Sequence, residues 1–289
     1  MPVDGISASE LDDLFGSVAN ELRIAILREL WDQYDEPLSF TELQSRVGVR
    51  DSGQFNYHLS VLVPEFVRKT ERGYVLTHTG RQTIGAAVSG HFSTEDIEVD
   101  SVPAGECMFC GEELTARYEG GDVVVACAAC ENLITKMPVP PVTVANTPRE
   151  DLPRVFGRHV LTLAHRLSRG FCKLCHGRVD STLTVLSDEE SVAYRSALDV
   201  KFECRACGDR THLNAGAVVM DHPAVTSFLF DSGIDPREMY PWELLPLLDP
   251  ETTITSEDPL ELELTVRIDD GALKLTLDES ANVVAYERQ

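Results

Sequence analysis

Residues 107–130 read CMFCGEELTARYEGGDVVVACAAC, from Cys107 to Cys130. Two Cys-x-x-Cys pairs, Cys107/Cys110 and Cys127/Cys130, flank a hairpin-like stretch of 16 residues. A Cys-x-x-Cys turn points two thiolates at one metal. A second such turn on a separate hairpin completes a closed tetrahedral site of four thiolates, with Zn–S near roughly 2.3 Å. The stretch therefore predicts a zinc ribbon.

The arrangement returns downstream as CKLC (Cys172/Cys175) and CRAC (Cys204/Cys207), here with 28 intervening residues. These four pairs use all eight cysteines. One pair would say little; four with none left over predict two structural Zn2+ sites. Glycine follows Cys110 and Cys207, as a tight knuckle asks. Cross-pairing between the two regions stays open, and His176 and His212 are spare candidate ligands. CKLCH also fits a c-type haem attachment pattern, but it has a partner pair downstream. No βαβ pattern surrounds the pairs, which argues against thioredoxin-like redox chemistry. A filled four-thiolate site has no open position for water, so no hydrolytic enzyme is expected.

The 289 residues leave room for two or three domains, and 43% hydrophobic content is ordinary for globular chains. No apolar run is long enough to span a bilayer. The start, MPVDGISASELDD, lacks the basic and apolar regions of a signal peptide, so the expectation is a cytoplasmic protein, where structural disulfides are rare. There are 48 acidic against 25 basic side chains, a net of −23, and 20 of the 25 are arginine. The acids are spread along the chain rather than run together. Such a surface suits molar salt, where a screening length of roughly 3 Å damps self-repulsion. The expected source is an extreme halophile, archaeal in kind. Within residues 43–81 the sign reverses, with six basic residues (Arg46, Arg50, Arg68, Lys69, Arg72, Arg81) against three acidic.

Residues 9–90 read as a compact helical unit. SELDDLFGSVAN is a short helix. Asn20 caps ELRIAILRELWDQ, where Leu22, Ile26, Leu27 and Leu30 repeat at helical spacing. Ser39 and Glu42 form a capping box. Asp51 and Gln54 open a further helix by the same reciprocal logic, with Phe55, Leu59 and Leu62 on its apolar face. FVRKTERGYVLT reads as two strands around Glu71-Arg72-Gly73, and TGRQTIGAAVSG as a last helix. The order predicts a winged helix-turn-helix, whose second helix of the pair fits the major groove.

VANELRIAILREL, SFTELQSRVGVRDSGQFNYHLSVLVPEFV and RKTERGYVLTHTG resemble the ArsR-type winged-helix transcriptional regulators, above all the form common in halophilic archaea. The resemblance covers about the first 90 residues. It implies a DNA-binding regulator, usually a homodimer on a palindromic site. Many members sense metals through cysteines in this domain; residues 1–106 here have none. On the recognition helix, Ser52, Gln54, Asn56 and Tyr57 are the candidate base contacts. Gln and Asn can bond adenine bidentately, each worth roughly 1–3 kcal/mol of discrimination. Arg50, Arg68, Lys69 and Arg72 suit phosphates. His58 reads as a half-buried packing residue.

The reading is an α+β multidomain protein: a winged helix-turn-helix (1–90), an acidic linker (91–104), a first zinc ribbon (105–136), a Pro-rich linker with an arginine-rich helix (137–170), and a second zinc ribbon with a β-hairpin C-terminal region (171–289). The Pro-rich part is expected to be extended, and the hairpin to turn at Asp270-Gly271. The aromatics Phe228, Phe230, Tyr240 and Trp242 could be core or line a pocket. The expected function is sequence-specific transcriptional regulation on double-stranded DNA as a homodimer, without membrane contact. The alternative is a winged-helix and zinc-ribbon protein of the transcription machinery, resembling the alpha subunit of basal transcription factor E.

Overall fold

A computed structural model describes residues 7–33, 36–90, 92, 97–186, 198–248 and 250–289. The chain divides into two compact units. One comprises residues 3–95 with 140–142, the other residues 96–139 and 143–289.

The first unit begins with α1 (Ala8–Gly16), opened by a capping box between Ser7 and Glu10 and burying none of its residues. Asn20 accepts from the Leu22 and Arg23 N–H groups and opens α2 (Glu21–Asp32). Ser39 and Glu42 form the expected reciprocal capping box of α3 (Phe40–Val47), which ends at Gly48 with φ 77°. Asp51 accepts from the Gly53 and Gln54 N–H groups at the start of α4 (Ser52–Leu62). A return bond from Gln54 is absent among the described residues, so this cap is one-sided. β1 (Val67–Thr70) and β2 (Gly73–Leu76) pair antiparallel, and Leu38 bonds both ways with Tyr74 to extend the ribbon. Thr77 caps α5 (His78–Val88). Ile26, Leu27, Leu43, Phe55, Leu59 and Leu62 form one buried core. Phe40 meets Phe55 edge-on, with ring centroids 5.1 Å apart. Because α4 spends Phe55, Leu59 and Leu62 on this core, its opposite face must be solvated.

The second unit opens with a four-stranded antiparallel sheet, β3 (Val99–Glu106), β4 (Glu113–Glu119), β5 (Asp122–Cys127) and β6 (Leu133–Pro138), in sequence order. Residues 99–104, expected as linker, are strand. Val102 and Ala104 alternate inward, a period-2 signal hidden among acids and Pro103. The Pro-rich stretch is not an extended linker either: its first two residues end β6 and Pro141 opens a short helix, α6 (Pro141–Ala145), where a proline costs nothing. After a single 3-10 turn (Arg149–Asp151) comes α7 (Leu152–Ser168).

A three-stranded sheet follows, β7 (Val179–Val185), β8 (Leu198–Cys204) and β9 (Arg210–Asn214), then α8 (Ala215–Val219), α9 (Pro223–Asp231) and α10 (Leu245–Leu248). The chain closes with the antiparallel sheet β10 (Glu251–Glu257), β11 (Leu260–Ile268), β12 (Gly271–Leu277) and β13 (Val283–Arg288). The β11–β12 hairpin pairs Ile268 with Gly271, so its turn residues are Asp269 and Asp270, one position earlier than expected. Asp269 takes φ 51°, which Asp tolerates better than most residues.

The expected separation into two ribbons joined by a linker gives way to shared packing. α7 contributes Leu152 and Phe156 to the core under the first sheet and Leu167 to the core beside β7 and β8. Trp242 joins the first of these cores, and its indole N–H donates to the Ala104 carbonyl at 2.8 Å, 138 residues away in sequence. Burying an indole of this size is a large apolar contribution, and the hydrogen bond satisfies its one donor.

Candidate metal centres and nucleic-acid interface

Three of the cysteine pairs lie on turns between strands, and Cys172/Cys175 lies on the turn from α7 to β7, closed by the Phe171–Arg178 bridge. Cys107 follows β3 and its N–H bonds the Glu112 carbonyl, while the Gly111 N–H returns to the Cys107 carbonyl. Cys204 repeats this with Asp209 and Gly208. The residue after the second cysteine is left-handed in all four turns: Gly111 (φ 75°), Glu131 (φ 58°), His176 (φ 62°) and Gly208 (φ 72°). Glycine marks two of these turns in the sequence. Glu131 and His176 hide the same conformation at the other two.

The turns bring the thiols together within each region and not across them. Cys107, Cys110, Cys127 and Cys130 form one cluster; Cys172, Cys175, Cys204 and Cys207 form the other. In each, all four sulfurs lie within 4.8 Å of one another. The closest pairs are Cys107–Cys130 at 3.7 Å, Cys110–Cys127 at 3.6 Å, Cys172–Cys207 at 3.7 Å and Cys175–Cys204 at 3.5 Å. A tetrahedral ion with 2.3 Å bonds to sulfur separates its ligands by about 3.8 Å, so the geometry fits a metal and is far too open for a disulfide of about 2.05 Å. His176 and His212 belong to neither cluster. His176 Nδ1 receives a bond from Arg166 at 2.6 Å, and His212 Nδ1 lies 2.7 Å from the buried Asp199 carboxylate.

Hydrogen bonds prepare the sulfurs to be thiolates. The Leu174, Gly177 and Ala206 N–H groups donate to Cys172, Cys175 and Cys204, each at 3.4 Å. The Asn132 side-chain amide donates to Cys130 at 3.3 Å. The Asn132 backbone draws Cys130 down to about 7, and the Cys207 and Ala206 N–H groups do the same for Cys204. Cys110 and Cys207 each receive one favourable backbone bond, from Glu112 and Asp209. Burial and the crowd of neighbouring sulfurs nevertheless push both up to about 12. Four thiolates this close repel one another, and a cation is what relieves it.

In the helical unit, Gln54, Asn56 and Tyr57 are exposed on α4; Tyr57 is 63% exposed, and its ring meets that of His58 edge-on with centroids 5.2 Å apart. Arg50, Arg68, Lys69 and Arg72 are exposed in the turn before α4 and in the β1–β2 ribbon, with the Lys69 ammonium 5.8 Å from the Tyr74 ring centre. Ser52 is exposed at the start of α4 as well. Its hydroxyl exchanges hydrogen bonds with the Gln44 side chain, which also donates to the Val49 carbonyl at 3.0 Å. Gln44, which sequence reasoning passed over, therefore braces the turn between α3 and α4. A partly buried glutamine in the middle of a short amphipathic helix carried no signal of this. His58 is half-buried, as expected.

Of the aromatics in 221–248, Phe228 and Trp242 are core, Tyr240 stacks on Trp242 with centroids 5.3 Å apart, and Phe230 is exposed. A cavity of about 330 Å³ lies nearby, lined in part by Arg169, Phe202, Val219 and His222, but by none of these four aromatics. Among the described residues, no helix is long and apolar enough to cross a membrane.

Fold and sites define a two-unit α+β protein: a helical unit with a β-ribbon, and a larger unit built around two four-cysteine clusters. Residues 104–283 match the family described as Domain of unknown function (DUF7351), and residues 11–87 match a second, Domain of unknown function (DUF7347). The first match covers more than half of the chain, which belongs to that family. No curated protein and no solved structure matches it.

Proposed function

We propose that this protein is a sequence-specific, DNA-binding transcriptional regulator of the ArsR-like winged-helix kind, acting as a homodimer, with two structural Zn2+ ions in its larger unit. The observation that carries the reading is the exposed face of α4. Gln54, Asn56 and Tyr57 stand clear of the core, next in sequence to cationic Arg50 and followed by the cationic ribbon of Arg68, Lys69 and Arg72. In a chain of net −23, a segment with six basic against three acidic residues needs an anionic partner. Amide side chains on a solvated helix supply the bidentate groups that read adenine, and the ribbon cations suit the flanking phosphates. Zinc is the metal favoured by four thiolates with no open position, and it supplies rigidity rather than reactivity.

The test is a competition among duplexes. Gln54→Ala and Tyr57→Ala should each relax sequence preference while the melting temperature stays put. Unchanged preference in both variants would remove the recognition role of α4.

A second reading has one observation in its favour. Phe109 and Leu174, at the tips of two cysteine turns, are 54% and 67% exposed, as residues that dock on a protein partner would be. On that reading the chain works within the transcription machinery, without site-specific DNA binding. Co-purification with polymerase, together with no sequence preference, would favour it.

A further inference from the structure

From Leu152 to Arg178 the chain contains no Asp or Glu, yet it carries six Arg or Lys residues. Every other part of this acidic protein is interrupted by carboxylates at shorter intervals. The helix α7 fills most of the stretch. Its apolar face, Leu152, Phe156, Gly157, Ala164 and Leu167, is buried. On the opposite side Arg154, Arg158, Thr162, His165 and Arg169 are all exposed. Their spacing of four, four, three and four residues keeps them within an arc of about 80°, in a stripe about 22 Å long.

The ion pairs along this stripe leave it cationic. The guanidinium groups of Arg154 and Arg158 make no hydrogen bond or ion pair among the described residues, although the Arg158 carbonyl accepts from the Thr162 hydroxyl at 2.8 Å; Glu150 and Asp151, just before the helix, bond neither guanidinium. His165 and Arg169 share a single carboxylate, Asp221, at 3.0 and 3.4 Å. Arg166, beside the stripe, donates to His176 and so ties the end of α7 to the second cysteine cluster. Just beyond that cluster's first turn Arg178 is exposed. A solvated helix face in this chain would carry acids, as α1 does with Glu10, Asp12 and Asp13.

We propose that this face of α7 is a second contact surface for the phosphate backbone of duplex DNA. The occupant follows from the stripe's chemistry. Guanidinium groups bind phosphate oxygens bidentately. A stable protein–protein interface centres on buried aromatic or aliphatic anchors, and the stripe has none. Contacts of this kind add affinity without sequence information, so the site complements the base-reading role given to α4 and rests on that reading of the protein.

The experiment measures binding of the full-length protein to labelled duplex DNA over a KCl series. The variants are Arg154→Gln/Arg158→Gln, at exposed positions where folding is not at stake, and Gln54→Ala in parallel. Each phosphate contact contributes roughly 0.9 to the slope of log affinity against log salt, so the double variant should bind more weakly on every sequence, with a slope shallower by about 2. Its sequence preference should be that of the parent. Gln54→Ala should do the reverse, changing preference at constant slope. A double variant with the parent's slope and affinity overturns the proposal and leaves the reading of α4 intact. A double variant that binds DNA like the parent but has a smaller oligomeric mass also overturns it, in favour of a second copy of the chain. Loss of slope in the double variant with no effect of Gln54→Ala upholds the stripe and removes the base-reading role. A parent protein that binds no duplex overturns both.

Discussion

The Sγ atoms of Cys107 and Cys130 lie 3.7 Å apart although 23 residues separate them, and Cys172 and Cys207 repeat the relationship at 3.7 Å. In both clusters the first cysteine of the first turn faces the last cysteine of the second. The two centres are thus built to one plan from hairpins of different length. Purified protein is expected to contain two zinc ions per chain by elemental analysis. Cys127→Ser and Cys204→Ser, which each remove a buried ligand, should leave one. Each should also cost about 4 kcal/mol or more in stability, because metal binding is folding free energy here. Full stability with no bound metal would contradict this.

Metal binding should be strongly pH dependent. The bound state holds four thiolates, while the free clusters hold protons on Cys110 and Cys207, pushed up to about 12, and begin to lose them at Cys130 and Cys204, drawn down to about 7. The free state therefore carries more protons, and acid favours it. Zinc affinity against a competing chelator is expected to rise steadily from about pH 6 to pH 8, with proton release seen as a buffer-dependent heat in calorimetry. A pH-independent affinity would point to a different ligand set.

The left-handed turn positions separate backbone strain from metal ligation. Glu131, at φ 58°, sits where Gly111 and Gly208 stand in the related turns. A non-glycine residue there costs about 1–2 kcal/mol. Glu131→Gly should raise stability by about 1 kcal/mol in denaturant titrations of the zinc-loaded protein, and Gly111→Ala should lower it by a similar amount.

Much of the site was legible because its signal is local. Four Cys-x-x-Cys pairs announced two clusters, and Asn20, Ser39 and Asp51 announced three helix starts that the structure shows. What escaped was non-local. The strand at Val99–Glu106 has a weak alternation that only makes sense once β4 lies beside it. The join between Trp242 and Ala104 leaves no trace in either segment. The bracing bond between Ser52 and Gln44 also escaped, since periodicity gives the face of a helix but not what the preceding helix offers it.

That brace can be tested against its neighbour. Gln44→Ala should destabilise the helical unit by about 1 kcal/mol through loss of its bonds to Val49 and Ser52. Gln54→Ala, on an exposed and unbraced position, should leave the melting temperature unchanged. Equal effects would mean that the turn between α3 and α4 does not depend on Gln44.

The acidity has its own consequence. At net −23 the chain repels itself when the screening length grows from roughly 3 Å in molar salt to roughly 10 Å at 0.1 M. Dialysis from molar to 0.1 M KCl is expected to lower the melting temperature while zinc stays bound. An unchanged melting temperature would remove the adaptation to salt.

The most direct measurement of the central claim is to incubate the full-length protein with fragmented genomic DNA of its source organism in molar KCl, recover the bound fragments and sequence them. A site-specific homodimer predicts a shared palindromic motif, enriched by the parent protein and weakened by Tyr57→Ala. Uniform recovery of all fragments, or none, would contradict a sequence-specific regulator.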